Sequence, residues 1–501
     1  MSRWREKSLT QAELKSVSVQ GGAVLVVGRV FRMSLNIVSM LVLARLLVPE
    51  DFGLFAMVAG LMNLLILFID PGLSVLTVQR QGITEQQVSN LFWINASLGI
   101  LLTILAMILA PVLTWFYHEN QLTLIIYAMA STFFFTGLSI QHEALLRKEM
   151  RFKALVGLEV LALVASIGIA LSLALYKANV WALVSMPIVA IVVKTIGLWL
   201  VVGWLPRLPA RQVGMREMVE FGGHLTFSNL ITYLMKNVDD MLIGWRWGAA
   251  SLGIYNMAYR IFLLPVQQLT GGMSSVAIVS LSRLAEKPEE FKVFYLRLVM
   301  MMAYLSMPLV VFVGVLSDDI FMLILGEKWV ESAGIFKVFA YVAILQPVGA
   351  TLGWVVIACG QPQKTWRWSL FAVPLMLMGF AIGLYWGSIG VAVGYAVMFF
   401  ILKIPHALYF LHDTPVHARD FWGELARPFG VAVAVAVGIF AVQYSLNLVG
   451  VLALLVGALV GCVAVFFVAL LFPKVRSDIM YISDTIRDMV KSRSHAKASA
   501  L

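Results

Sequence analysis

Charged residues and cysteines are scarce in this sequence. Asp, Glu, Lys and Arg make up only 13% of the 501 residues, whereas 61% are hydrophobic, a balance that soluble domains do not have. The only two cysteines, Cys359 and Cys462, both lie inside apolar stretches, so they form neither a disulfide framework nor a cluster of metal ligands. The composition predicts an all-α polytopic membrane protein with no room for a separate soluble catalytic domain.

Loops that carry catalytic motifs are also missing. The sequence contains no GxxxxGK[ST] phosphate loop, no HExxH and no GxSxG motif, and the longest predicted outer loop runs only from 317 to 334. A net charge of +10 would indicate a nucleic-acid partner in a soluble protein. Here the basic residues are dispersed between apolar stretches, so they report membrane topology and no nucleic-acid partner is expected.

Apolar segments fill most of the chain. At ~20 residues for each membrane-spanning helix, division at polar and Pro/Gly-rich breaks gives about 14 transmembrane helices. The predicted spans lie near residues 22–47, 52–74, 88–112, 121–141, 154–175, 181–203, 219–244, 252–281, 296–316, 335–359, 368–386, 390–410, 429–446 and 450–472. An even number of spans places both termini on the same side of the membrane.

Lys and Arg residues concentrate in alternate loops. Most of the 37 fall on the side of the termini, and the opposite loops hold only Lys177, Arg246 and Lys328. The side rich in Lys and Arg is the cytoplasmic one. We therefore expect cytoplasmic N and C termini, and the same asymmetry supports the division into fourteen spans.

An internal repeat relates the second and eighth spans. At an offset of 200 residues the identical pairs are Gly53/Gly253, Met57/Met257, Leu64/Leu264, Gly72/Gly272 and Ser74/Ser274. A separation of six spans gives the two halves the same direction, as in two-lobed transporters that bind substrate between their lobes. The predicted organisation is a cytoplasmic N-terminal segment (1–21), an N-lobe of six spans (22–203), a cytoplasmic linker (204–218), a C-lobe of six spans (219–410), two further spans (429–472) and a cytoplasmic basic tail (473–501).

Charged side chains inside the predicted spans are the candidate site residues, because each costs ~2.5 to 3.5 kcal/mol in the hydrocarbon region. Arg29, Arg32 and Asn36 recur at i, i+3 and i+7, so they lie on one face of the first span. Another stripe in the seventh span consists of Asn229, Tyr233, Lys236 and Asp240, and the eighth span adds Arg260. Because the first and seventh spans begin the two repeats, both stripes are expected to line a central cationic cavity.

The chemistry of such a cavity suits a phosphate. Guanidinium groups engage phosphate oxygens through two parallel donors, and Arg29 and Arg32 repel each other unless an anion or a water-filled cavity faces them. The alternative for Lys236 is an ion pair with Asp239 or Asp240 that only fixes helix packing. Lys194, Lys403 and Glu159 lie near cytoplasmic span ends, and Arg45 and Lys337 also lie near span ends, where long side chains extend to the interface.

Several motifs resemble those of a known family. LARLLVPEDFGLF at 43–55 resembles the ARLLGPEDFGLFA signature of bacterial polysaccharide exporters of the Wzx type, and DPGL at 70–73 resembles their D-x-G-L. VDDMLIG at 238–244, followed by LGIYNMAYR at 252–260 and LPVQ at 264–267, is similar to the colanic acid exporter and lipopolysaccharide-biosynthesis branch. The resemblance covers residues 20–472.

This family belongs to the multidrug/oligosaccharidyl-lipid/polysaccharide exporter superfamily. The resemblance implies a V-shaped two-lobed fold, alternating access, and translocation of an undecaprenyl-diphosphate-linked oligosaccharide between the leaflets of the bacterial inner membrane, for exopolysaccharide, capsule or O-antigen assembly. The polysaccharide polymerase and chain-length machinery are candidate protein partners. Coupling to a Na⁺ or H⁺ gradient stays open, with Asp70, Asp239 and Asp240 as candidate carriers, and no other cofactor and no metal site are expected.

The sequence thus predicts a flippase rather than an enzyme. In this hypothesis Arg29, Arg32, Lys236 and Arg260 bind the diphosphate, and the polar residues that contact sugar or line the path are Asn36, Asn229 and Tyr233. A lipid II flippase shares fourteen helices and a basic cavity, and only the family motifs separate it. A drug or metabolite exporter of the same superfamily usually has twelve helices and acidic cavity residues. A membrane glycan polymerase needs a larger outer loop than this chain has.

Overall fold

The structure is a computed structural model that describes residues 11–70, 72–80, 82–210 and 216–498. Inside the helices, the side chains of residues 11–20, 23, 216–236, 272, 275, 486 and 488–498 are outside the description. The helices, in chain order, are α1 (Gln11–Leu46), α2 (Pro49–Ile66), α3 (Leu73–Gln79), α4 (Glu85–Tyr117), α5 (Leu122–Lys148), α6 (Phe152–Tyr176), α7 (Trp181–Val202), α8 (Arg216–Arg283), α9 (Pro288–Val315), α10 (Ser317–Ile324), α11 (Val330–Ala358), α12 (Gln363–Gly383), α13 (Gly387–Leu411), α14 (Ala418–Leu446), α15 (Gly450–Leu471) and α16 (Pro473–Ala498).

Helix starts follow from local sequence. Pro49 occupies the first turn of α2, where its missing N–H costs nothing, and the Asp51 carboxylate accepts a hydrogen bond from the Val48 N–H at 3.2 Å. Thr84 and Gln87 form a reciprocal capping box at the start of α4, with distances of 3.2 and 3.0 Å. The PED part of the 43–55 motif is therefore a helix-start signal.

The structure confirms the predicted fold class and fits about 14 spans. Among the described residues, twelve stretches are long and apolar enough to cross a membrane, but two of them, Asn237–Arg283 and Gln363–Leu411, have 47 and 49 residues. Each is long enough for two crossings at ~20 residues per span. The first breaks at Gly248, where φ is 78°, and the second breaks before Gly387, where φ is 80°. Both breaks lie between predicted spans.

The chain divides after Gly253 into two compact units. In the first unit α5 is the central helix, since it packs against α2, α3, α4, α6 and α7, while α1 packs on α6. Helices α4 and α5 are in close backbone contact where a Cβ on Gly99 would lie 2.7 Å from the Phe133 carbonyl oxygen and one on Gly137 would lie 2.6 Å from that of Asn95. Small residues allow this backbone contact, which stabilises helix pairs in lipid.

In the second unit, helices α9 and α11 carry much of the core. α11 packs against α9, α10 and α13, and α14 packs against α9 and α15. The fully buried Tyr295 hydroxyl is 3.0 Å from the Thr351 hydroxyl, so the polar end of this large side chain is satisfied inside the unit. The segment expected to be an outer loop, 317–334, contains α10, a single 3₁₀ turn at Glu327–Trp329 and the start of α11.

Candidate functional site

The stripe predicted on the first span lies on α1. Arg29 and Asn36 are exposed on the protein surface, while the side chain of Arg32 is 30% exposed. The Asn36 amide donates to the Arg32 carbonyl oxygen at 3.0 Å, and the Arg32 Nε lies 3.4 Å from the Gly28 carbonyl oxygen. Local hydrogen bonds thus orient the stripe, and the Arg32 guanidinium is directed toward a neighbouring helix.

That neighbour supplies a carboxylate. Arg32 Nη1 lies 2.6 Å from Glu159 Oε2 on α6, and the other Glu159 oxygen is 4.0 Å from Lys194 Nζ on α7. Lys194 Nζ in turn is 2.7 Å from Glu143 Oε2 on α5, and Glu143 Oε1 is 2.6 Å from Arg147 Nη2. These five residues, which we name the charge chain, connect α1, α6, α7 and α5.

The charge chain carries surplus positive charge, because three cations alternate with two carboxylates. Its inner members are partly buried, with exposed fractions of 14% for Glu159, 19% for Glu143 and 23% for Lys194, whereas the terminal Arg147 is 52% exposed. Removing one member of such a partly buried chain leaves its partner uncompensated, which costs more than the ion pair itself contributes. The exposed Arg29, one turn before Arg32, adds a further cation on the same helix.

Beside the charge chain lies a cavity of about 420 Å³ whose mixed polar and apolar walls include Asp70, Ser74, Gln79, Glu143 and Arg147. The Asp70 carboxylate, one of the candidate ion carriers, accepts hydrogen bonds from the backbone N–H of Ser74 at 3.0 Å and from the Ser74 hydroxyl. Asp70 therefore caps the start of α3, which is the structural role of the DPGL motif.

A buried hydrogen-bonded row anchors α3 to its neighbours. The Thr77 hydroxyl donates to Gln141 Oε1 at 2.8 Å, the Gln141 amide donates to Asn95 Oδ1 at 2.8 Å, and the Asn95 amide donates to the Ile69 carbonyl oxygen at 2.9 Å. Lys148 adds contacts from its Nζ to the carbonyl oxygens at the end of α3. The row holds one wall of the cavity in place.

The structure describes only part of the second predicted stripe. The side chains of Asn229, Tyr233 and Lys236 lie outside the described residues, so their predicted roles stay predictions. Asp239 is buried and Asp240 is half-buried in the first unit. Arg260 belongs to the second unit, is exposed, and donates from Nε to the Asn256 side-chain oxygen at 2.8 Å.

Two other cations near span ends, Lys403 and Lys337, differ in their burial. Lys403 is buried, with 7% of its area exposed, and its Nζ fills the space beside Gly349 and lies 4.9 Å from the Phe399 ring centre. Lys337 is half exposed and lies 2.5 Å from Asp318, which fits a side chain at the surface. Burial of Lys403 could not be read from its position near a span end, because it depends on the helix that packs opposite.

Sequence reasoning did not identify Glu143 and Arg147 as part of a site. Their i, i+4 spacing is typical of an ordinary pair on a helix surface. The signal that distinguishes them is Lys194, which lies far away in sequence and contacts Glu143 only after folding.

Within the part of the chain that the structure describes, no group of three or more His, Cys, Asp or Glu residues is arranged to hold a metal ion.

Known proteins are similar to this chain in sequence and in fold. Residues 42–334 match the model of the family described as polysaccharide biosynthesis protein. The chain is 27% identical over 381 residues to the teichuronic acid biosynthesis protein TuaB of Bacillus subtilis (strain 168), covering 75% of this chain and 79% of that protein. It is 24% identical over 456 residues to the lipopolysaccharide biosynthesis protein WzxC of Escherichia coli (strain K12), covering 89% of this chain and 88% of that protein.

Solved structures show the same fold at lower identity. The lipid II flippase MurJ in an inward closed conformation superposes with a TM-score of 0.68 and 14% identity, covering 93% of this chain and 99% of that chain. An inward-facing multidrug resistance transporter of the MATE family and MOP superfamily gives a TM-score of 0.59 and 16% identity, covering 76% and 93%. These likenesses concern the fold, whereas the match over 42–334 concerns the sequence and includes α2 to α10. The chain therefore belongs to the polysaccharide biosynthesis protein family of membrane proteins.

Proposed function

We propose that this protein is a flippase, not an enzyme, which moves undecaprenyl-diphosphate-linked oligosaccharide from the cytoplasmic to the periplasmic leaflet of a bacterial inner membrane. Family membership supports a role in polysaccharide biosynthesis, and a relative that is 20% identical, ExoT of Rhizobium meliloti (strain 1021), is named as a succinoglycan biosynthesis transport protein. The observation that carries the proposal is the surplus of cations on and behind α1, inside helices that are long and apolar enough to span a membrane.

The diphosphate would bind first to α1. Arg29 is exposed and Arg32 is partly exposed, so both can reach an anion that enters from the open side of the helix. A planar guanidinium group can donate two parallel hydrogen bonds to phosphate oxygens. It is also more weakly hydrated than an ammonium group, so it suits phosphate binding in a partly buried site. In the same proposal Lys236 adds a cation from the second stripe and Arg260 adds one from the eighth span, while the sugar chain follows Asn36, Asn229 and Tyr233.

The polyprenyl tail would stay in the bilayer while the head group crosses. The helices present large apolar side chains on their outer faces, for example Leu101, Leu200 and Leu455, which are 59%, 78% and 65% exposed. Lipid covers such faces without cost. The distribution of Lys and Arg supports cytoplasmic termini, and alternating access of the two predicted lobes would expose the site to each side in turn.

The same proposal names candidate residues for coupling to an ion gradient and candidate protein partners. Asp70, Asp239 and Asp240 are the candidate carriers for a Na⁺ or H⁺ gradient; Asp239 is buried, Asp240 is half-buried, and the Asp70 carboxylate also binds the start of α3. A polysaccharide polymerase with its chain-length machinery would receive the product on the periplasmic side. A lipid II flippase is the second candidate, since the MurJ fold matches over 93% of this chain.

The test measures lipid-linked oligosaccharide in cells that lack the gene. We expect the intermediate to accumulate on the cytoplasmic leaflet, wild type to clear it, and Arg29→Ala or Arg32→Ala to fail. Arg45→Ala is the matched control, because Arg45 lies on the same helix but outside the stripe. Normal appearance of the intermediate on the periplasmic side without the gene would exclude this function. Accumulation of lipid II instead would favour the second candidate.

A further inference from the structure

Glu159 lies between two cations that it contacts unequally. Its Oε2 is 2.6 Å from Arg32 Nη1, a close ion-pair contact, while its Oε1 is 4.0 Å from Lys194 Nζ, which is too far for a hydrogen bond. A movement of about 1 Å would bring Oε1 to the usual distance of a charge-assisted bond from Lys194. The carboxylate therefore has a second partner within reach without any rearrangement of helices.

Lys194 is prepared for that exchange. It already lies 2.7 Å from Glu143 Oε2, and Arg147 contacts the other oxygen of Glu143. An ammonium group has three donors and can bind two carboxylates at once. Lys194 can therefore accept Glu159 while it retains Glu143, and Arg147 balances the additional negative charge near this end of the charge chain.

Arg32 is the most accessible member of the pair. Its side chain is 30% exposed, whereas that of Glu159 is 14% exposed. An incoming anion therefore meets the guanidinium rather than the carboxylate. A bidentate phosphate contact uses the planar donors of this guanidinium, and Glu159 already contacts one of them, Nη1. Both anions cannot share these donors without placing like charges in contact, which raises the free energy of the bound state.

We infer that Glu159 competes with the substrate's diphosphate for Arg32 and moves to Lys194 when the diphosphate binds. This inference rests on the proposed function and names the residue that sets its selectivity. A diphosphate ester carries more negative charge than the single charge of a phosphodiester head group, so it displaces the carboxylate more readily. Glu159 thus keeps abundant anionic phospholipids from occupying Arg32, because a specific site also needs a repulsive element against competitors. On release, Glu159 returns to Arg32.

The test measures binding to the full-length protein in nanodiscs of zwitterionic lipid. Farnesyl diphosphate represents the diphosphate head group, and short-chain phosphatidylglycerol represents a phosphodiester. We expect Glu159→Gln to bind farnesyl diphosphate about tenfold more tightly, which equals about 1.4 kcal/mol, and phosphatidylglycerol to gain at least as much, so that selectivity falls. Glu149→Gln is the matched control, because it neutralises a carboxylate paired with Arg151 at 3.2 Å. It should change neither affinity.

Lys194 provides an independent arm. Lys194→Gln should weaken binding of farnesyl diphosphate in the wild-type background because Glu159 loses its second partner. In the Glu159→Gln background the same change should have a clearly smaller effect, since no carboxylate remains to be accepted. Equal effects in both backgrounds would contradict the exchange. If Glu159→Gln does not fold, Glu159→Asp, which retains the charge but is one methylene shorter, should show an intermediate gain in affinity.

The outcomes separate this inference from the proposed function. Unchanged or weaker binding by Glu159→Gln, with wild type binding normally, overturns the competition and leaves the flippase proposal intact. Absence of farnesyl diphosphate binding by wild type also overturns the competition. The accumulation of lipid-linked oligosaccharide in cells without the gene then decides separately whether the proposed function is wrong as well.

Discussion

Gly53 lies where the start of α2 crosses the chain after the Gly248 break of α8. A Cβ placed on Gly53 would overlap the carbonyl group of Ala249, and a Cβ on Gly253 would overlap the carbonyl oxygen of Pro49. Both obstacles are backbone atoms, which cannot move aside as the end of a flexible side chain can. Both glycines lie within the first compact unit, so a methyl group must push two helices of that unit apart.

We therefore expect Gly53→Ala to lower the free energy of unfolding by at least the 1–3 kcal/mol typical of overpacked cores. At about 2–4 °C for each kcal/mol in domains of this size, the melting temperature should fall by several degrees. The measurement is thermal unfolding of the purified protein in detergent or nanodiscs. Gly60→Ala is the matched control, since it lies on the same helix and a Cβ there meets nothing within 4 Å.

Gly60→Ala should be neutral or slightly stabilising, because alanine favours the helix over glycine by ~1 kcal/mol. Equal melting temperatures for Gly53→Ala and wild type would refute the close crossing. A fall of the same size in both variants would show that the effect comes from helix propensity or insertion, not from the contact with Ala249. A Gly53→Ala, Gly253→Ala double variant should be less destabilised than the sum of the single changes, because one displacement relieves both overlaps.

Two further predictions concern the first unit. Gln141→Leu should lower the free energy of unfolding by about 1–3 kcal/mol, because it leaves the buried Asn95 and Thr77 groups without their partner, and thermal unfolding measures the loss. Burial and the nearby Glu50 carboxylate raise the pKa of Glu119, in the connection between α4 and α5, above its ordinary value of 4.5. Because the pKa of Glu119 is higher in the folded protein than in the unfolded chain, its contribution to stability is complete below pH 4.5 and is lost as the pH rises through the folded pKa. Glu119→Gln should therefore stabilise the protein near neutral pH but not below pH 4.5.

Controls exist for both changes. Gln121→Leu alters an exposed glutamine and should shift the melting temperature far less than Gln141→Leu. For Glu119, stability curves of wild type and variant should converge as the pH falls below 4.5. Parallel curves over the whole range would mean that the Glu119 side chain acts through packing and not through its charge.

Much of the fold follows from the sequence because span length and apolar composition are local properties. The break predicted between the seventh and eighth spans contains Gly248, and the break predicted before 390 contains Gly387. Both positions have a positive φ that glycine adopts without strain. The family motifs follow the same logic, since Pro49 and Asp51 start α2 and Asp70 caps α3. The structure adds α10 within a segment expected to be a loop.

The sequence by itself determined the class of protein, the fourteen apolar spans and the helical face that carries Arg29, Arg32 and Asn36, because periodicity places residues relative to their own helix axis. Only the tertiary structure decided that Arg32 faces Glu159, that Lys194 holds Glu143 and that Lys403 is buried beside Gly349. In lipid, one apolar helix face is as good a partner as another for the hydrophobic effect, and small residues and polar contacts select the neighbour. Those contacts join residues far apart in sequence, so the counter-charge of Arg32 appears only when α1 packs on α6.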